Sequence, residues 1–373
     1  MCSTTTSTPP LLQFGGFTIP TGCRRIFITA ELEPSNSDPR IQPTGFPDIG
    51  PVLYPDPAEK EGLICLIESE ASMANRLEAV CFSNIYEGTL RNTFAGLPYL
   101  KAQTGTGATA VLKTTSTLDG HRFASDFLAK GKANFGSGET TFAEHIKTTL
   151  GMTPDGKTMP IANVPNVFPL VLGLDAMSLI HGFQVSNEQI SFVGLRLARA
   201  LSASILGFGC ERISVPGIKF NVGQVESESG QAIFQKPRIT AKKIEVRFSI
   251  DVGLLTSLRL VLTNEHLPNG ISAEELQAAR AKLLLGIAMW KGAAFLDLLS
   301  VELSLRTECK LRLKRNDEGK AIAPKFVCEG GTNPPSGDFP FSTIAAASLV
   351  GENGLIANAH LPADRSPLTL QFA

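Results

Sequence analysis

The chain lacks most of the marks that single out common classes of protein. Its seven cysteines form no C-x-x-C pair, and its five histidines show no H-x-x-x-H or Cys/His spacing. That argues against a zinc site, and the odd, scattered thiols read as reduced cysteines used as small apolar residues. There is no acidic cluster with metal-binding spacing and no Ser/His/Asp or Cys/His arrangement that spacing supports, so neither a cofactor nor catalytic residues are expected. No apolar run reaches the roughly 18–20 residues of a membrane span. The start of the chain, rich in Ser, Thr and Pro, lacks the basic stretch and apolar core of a signal peptide, so a cytoplasmic protein with no membrane partner is expected. A basic excess is missing too, since the formal net charge is −1. This counts against a freestanding nucleic-acid binder. It leaves room for a subunit that gathers its cations on one face.

What is present suits a packed chain. With 373 residues, 43% hydrophobic and 18% charged, it is long enough for one large domain with insertions or for two domains. Residues 24–33 alternate, with Ile26, Ile28, Ala30 and Leu32 on one face, which predicts a half-buried strand. Residues 242–252 alternate in the same way, preceded by a basic cluster of Lys236, Arg238 and Lys242. Residues 305–314 alternate a third time and put Arg306, Glu308, Lys310, Arg312 and Lys314 on one face. That face is the most basic surface in the chain, although exposed strands also carry Lys and Arg to discourage edge pairing. Ser272 and Glu275 spell a capping box that opens a long helix, expected to bend or end near Gly292. Residues 141–150 predict a helix stopped by Gly151. Residues 118–132 read as helical, and the apolar segment 190–206 would put Arg196 and Arg199 on one helical face. Together these elements predict an α+β fold, with helices on one side of a mainly antiparallel sheet.

The chain is organised around residues 40–76. Arg40-Ile41-Gln42-Pro43-Thr44-Gly45-Phe46-Pro47 is a shaped loop, since the prolines fix φ and Gly45 permits φ > 0. It sits inside a Pro/Gly-rich stretch, residues 34–57, of a length that is usually functional or disordered. Arg40, Gln42 and Thr44 suit contacts to phosphate and sugar. The apolar run Leu63-Ile64-Cys65-Leu66-Ile67 reads as a strand covered on both faces. Ser69 or Ser72 then caps a helix predicted to run to about Tyr86, with Met73, Leu77, Val80 and Cys81 as its buried stripe. Asn75 and Arg76 lie off that stripe and could face a ligand; the plainer alternative pairs Arg76 with Glu68 or Glu78.

Residues 151–158 fit the P-loop pattern G-x-x-x-x-G-K-[ST]. A P-loop follows a strand and opens a helix, whereas here a helix precedes and Pro160 follows. Pro154 and Asp155-Gly156 spell a surface turn instead.

Two pieces, residues 40–47 and Glu68-Ser69-Glu70-Ala71-Ser72-Met73-Ala74-Asn75-Arg76-Leu77-Glu78, resemble the signature of CRISPR-associated RAMP proteins. The resemblance is to the crRNA-binding backbone subunits of type I-G (formerly I-U) Cascade-like effectors. It continues, in order, through residues 119–127, 175–182, Arg199-Ala200-Leu201-Ser202, residues 237–251 and residues 288–311. It implies an RRM/ferredoxin-like palm over residues 24–332, with large finger and thumb insertions at residues 34–62 and 89–170. A flexible segment, residues 1–23, would precede the palm, and a surface-wrapping tail, residues 333–373, would follow it. The aromatic base-stacking motif of free RRM modules is not evident.

The function implied is non-catalytic. Copies would stack in a helical filament along the crRNA, hold its backbone whatever its sequence, and leave the bases to pair with target DNA beside other CRISPR effector subunits. The residues implied to touch RNA are Arg40, Gln42, Thr44, Asn75, Arg76, His121, Arg122, His181, Arg196, Arg199 and Arg306. For His121 and His181 a buried structural role is an equal alternative. The chain departs from the family pattern after Lys291, where Gly292-Ala293 replaces a basic pair, which argues against RNA contact there. One alternative is an RNA-processing endonuclease of the same superfamily, with His121 or His181 as general base. Another is a nucleotide-dependent enzyme using residues 151–158. On that last reading Lys157→Ala abolishes ATP binding; on the first, equilibrium dialysis finds no ATP binding to lose.

Overall fold

The computed structural model describes residues 11–46, 50–59, 62–136, 138–186, 190–213, 218–219, 233–234, 238–262, 265–331, 334–351 and 354–372. Lys236, Pro47 and Pro237 lie outside the described residues, as do residues 1–10.

Alternation builds the main sheet. In β1 (Arg25–Pro34), Ile26, Ile28, Ala30 and Leu32 are buried. The apolar β2 (Leu63–Glu68) leads into helix α1 (Glu70–Ala79), capped by Ser69, whose side chain accepts the Ser72 amide. Strands β3 (Leu201–Phe208) and β4 (Lys243–Asp251) repeat the alternation. The long helix α2 (Ala273–Val301) follows, then β5 (Leu303–Arg306), β6 (Cys309–Leu313) and β7 (Lys325–Glu329). The strands lie in the order β5-β6-β1-β4-β3-β2, with β7 beside the other half of β1. Every pairing in this sheet is antiparallel. Helix α1 lies between β1 and β3 in sequence and α2 between β4 and β6. With β2 and β5 set aside, the strands before and after each helix, β1 and β3 for α1 and β4 and β6 for α2, are separated in the sheet by one other strand.

The inward face of the sheet packs on α2. The capping box is complete, because Ser272 Oγ accepts the Glu275 amide and the Glu275 carboxylate accepts the Ser272 amide. The helix does not stop at Gly292. It runs to Val301 because packing from several sides outweighs glycine's low propensity. By length and composition α2 could cross a membrane, against the sequence-based expectation, but most of its apolar window is buried in the protein. On its far side lie the helices Phe341–Ala346 and Leu355–Asn358. A Cβ at Gly286 would press on the Leu355 side chain, which would have to shift to admit it. Trp290 Nε1 donates to Ala345 O at 3.0 Å.

The outer sheet face is sealed by charge. Lys314 and Lys243 lie 2.8 and 3.7 Å from Glu31, while Lys243 and Arg247 lie 2.5 and 2.6 Å from Glu245. Arg312 pairs with Glu33 at 2.9 Å and Lys310 with Glu302 at 3.8 Å. The basic strand face read from residues 305–314 is therefore spent on neighbouring carboxylates. That stretch is also a hairpin, β5 and β6, rather than one strand.

Several other expectations are corrected. Helix α1 ends at Ala79, and a hairpin of Phe82–Asn84 with Thr89–Leu90 follows. In place of one helix over residues 118–132 stand a 3₁₀ turn, Arg122–Ala124, and a one-turn α-helix, Asp126–Ala129, before a strand begins at Lys132. Residues 11–23 pack as a hairpin with Leu12, Phe14, Phe17 and Ile19 buried. The tail does not merely wrap the surface. Leu368–Gln371 is the middle strand of a five-stranded sheet, parallel to Leu100–Thr104, with Leu370 fully buried. Residues 151–158, by contrast, form the turn that was read there, with the amides of Thr153, Gly156 and Lys157 bonded within it.

The helix Phe142–Thr149 forms as read, capped by Thr141. It stacks His145 on Phe135, ring centroids 4.0 Å apart, with Nε2 buried and without a hydrogen-bond partner. Burial, aided by the Arg365 charge, pushes the imidazole down to about 4. The unfolded chain therefore takes up a proton near pH 6.5 that the fold refuses. Stability carried by this residue is full above about pH 6.5 and lost as pH falls toward 4. In His145→Phe, urea melts should lose that part of the acid dependence; an unchanged pH profile would contradict it.

Candidate nucleic-acid groove

The loop 40–44 and the start of α1 are held by one buried carboxylate. Glu68 ends β2, and Arg306 Nη1 meets its Oε2 at 2.7 Å while Arg76 Nε meets Oε1 at 3.2 Å. Ser72 Oγ also donates to Oε1. Arg306 further donates to the carbonyls of Gln42, at 3.0 Å, and Ile67. Arg76 Nη2 reaches Leu305 O at 3.0 Å. The loop backbone is pinned as well, with the Thr44 amide on Ile67 O and the Gln42 amide on Glu308 O, both at 3.0 Å. Arg76 and Arg306, read from sequence as RNA contacts, thus brace this corner through Glu68 while each side chain stays partly exposed. Arg40 is exposed, but its guanidinium grips Asp38 at 2.6 Å, which holds that carboxyl down at about 2. Gln42 and Thr44 are half-buried.

Six of the expected residues meet elsewhere. Asn75, His121, Arg122, His181, Arg196 and Arg199 line one groove of about 1060 Å³. Helix α1 gives Asn75 on its exposed side. Gly182, at φ +76°, turns the chain from the helix Ser178–His181 into the strand Phe183–Ser186. That strand pairs with Ser191–Leu197, so Arg196 and Arg199 do not share a helix; they reach the groove from the end of a hairpin. Both are exposed, and among the described residues no carboxylate pairs with either. Arg199 donates to Glu70 O at 3.3 Å. His121 is exposed too, 3.7 Å from Asp119, so the buried alternative does not apply to it.

The groove floor is different. Arg122 is buried at φ +48°, a conformation that strains a bulky residue, and its Nη2 bonds Glu78. His181 is buried, its Nε2 2.8 Å from the buried Lys291 Nζ and its Nδ1 3.9 Å from Glu78 Oε1. Burial drives His181 well below its ordinary value, helped by the Lys291, Arg122 and Arg199 charges, and pushes the Glu78 carboxyl up. Sequence reading missed Glu78, which lines the floor, and Lys291, which lies fully buried behind His181. Glu78 had surfaced only as a surface partner for Arg76, and Lys291 only as the edge of a departure from pattern.

These features define an α+β protein with a curled antiparallel core sheet and a groove rimmed by arginines. The chain belongs to the family described as CRISPR-associated protein GSU0053, whose family model matches residues 26–212, half of the chain. The matched span carries both signature pieces and all six groove residues, but not Arg306. A search of curated proteins gave no match.

Removing Glu68 would leave two arginines facing a buried gap. Glu68→Ala should cost about 3–5 kcal/mol in urea unfolding. A loss under about 1 kcal/mol would show that the brace carries no stability.

Proposed function

We propose that this CRISPR-associated protein is the non-catalytic crRNA-binding backbone subunit of a type I-G Cascade-like effector. It holds the spacer by phosphate and 2′-OH, in several copies along the guide, beside other CRISPR subunits in the cytoplasm, while the bases pair with target DNA. The observation that carries this reading is the groove, which gathers six separately predicted polar and cationic side chains in a chain of near-zero net charge. With β2 and β5 set aside, the order β1-α1-β3-β4-α2-β6, with β4 between β1 and β3 and β1 between β4 and β6 in the sheet, supports an RRM/ferredoxin-like palm. The sealed outer sheet face supports backbone gripping in the groove rather than base stacking on the sheet.

Arg196→Ala with Arg199→Ala tests this reading, because both side chains are exposed and the fold should survive. RNA retained through purification should fall about tenfold or more, as expected for lost charge-assisted contacts. Unchanged RNA content in a folded double variant would overturn it.

A further inference from the structure

The groove floor holds two donors with no acceptor. Lys291 is an ammonium, which can only donate, so the 2.8 Å contact makes His181 Nε2 the acceptor. The neutral ring must then carry its hydrogen on Nδ1. That Nδ1–H is buried and unpaired, and so is Arg122 Nη1. Both belong to side chains gathered about Glu78, whose Oε1 already takes Arg122 Nη2 and stands 3.9 Å from His181 Nδ1, too far to satisfy it. Orphaned buried donors are costly, and a strained backbone such as that of Arg122 persists where surrounding structure or function requires it.

The charges around the floor decide what could complete it. Buried Arg122 and Lys291 are balanced by buried Glu78 and Asp175, and Asp175 is itself taken up by the Met177 amide and Ser178 Oγ. Above them stand Arg196 and Arg199, without carboxylate partners among the described residues, and His121 beside Asp119. The balance seen from the groove is positive.

We infer that the floor is an oxyanion site, where one phosphate oxygen accepts from His181 Nδ1–H and Arg122 Nη1–H while Arg196 and Arg199 hold the rest of the group. This deepens the reading of the groove as an RNA site and takes its ligand from it, but the chemistry is the same for a phosphodiester and for inorganic phosphate. His181 is then a positioned donor rather than a base, because its basic nitrogen is turned to Lys291.

The test uses the full chain, freed of RNA and labelled with ¹⁵N-histidine, titrated with inorganic phosphate against chloride at constant ionic strength. The His181 ring resonance, identified by its loss in His181→Gln, should shift and saturate, while that of His145 stays still. Arg122→Lys keeps the charge beside Glu78 but removes Nη1, and should weaken phosphate about tenfold or more. If that variant fails to fold, the wild-type His181 shift alone decides. A still His181, or equal phosphate affinity in a folded Arg122→Lys, would overturn the site. A short single-stranded RNA should displace phosphate and shift the same resonance. RNA bound without that shift defeats the oxyanion site and spares the RNA reading. A phosphate shift in a chain that binds no RNA does the reverse.

Discussion

Much of the molecule's layout depends on a carboxylate that water does not reach. Glu68 stands at the point where β2 stops and α1 starts, and its two oxygens bring together side chains from α1 and from the β5–β6 hairpin. Through Arg306 it also fixes the loop that begins at Arg40. An ionised group in such a place is tolerated only because its lone pairs are filled. Satisfying them forces loop, strand, helix and hairpin into one arrangement. In that arrangement Asn75 projects from α1 toward the groove while Arg76, its neighbour, turns toward Glu68.

The same logic explains how a chain with net charge −1 can present a cationic groove. Most of its cations near the sheet are matched. The outer face alternates lysine and arginine with glutamate, and the Arg40, Arg76, Arg122 and Arg306 guanidiniums each meet a carboxylate. Net charge therefore says little about local potential. At the groove rim, Arg196 and Arg199 have no acidic partner among the described residues.

Local pattern carried the half-buried strands, since alternation over β1 and β4 is written by a face that must be buried. It also carried the caps at Ser69 and Ser272, where a side chain answers an amide only a few residues away. It failed where partners are distant. The apolar stretch around Arg196 and Arg199 has no period that separates a buried strand from a helix. Leu368–Gln371 looks like loose tail until it pairs with Leu100–Thr104. At the site, the residue types were visible but their division was not. Whether an arginine is a brace or an open contact depends on where Glu68 and Glu78 fall, and no spacing rule announces that.

The central claim is that this chain holds a nucleic-acid strand by charge and not by letters. The most direct measurement is the affinity of the purified chain for short single-stranded RNAs of unrelated sequence across a range of salt. Neutralising two or three phosphates on a single strand predicts a common slope of log K against log salt of about −1.4 to −2. A slope near zero, or affinities that diverge strongly with sequence at one salt, would contradict the account.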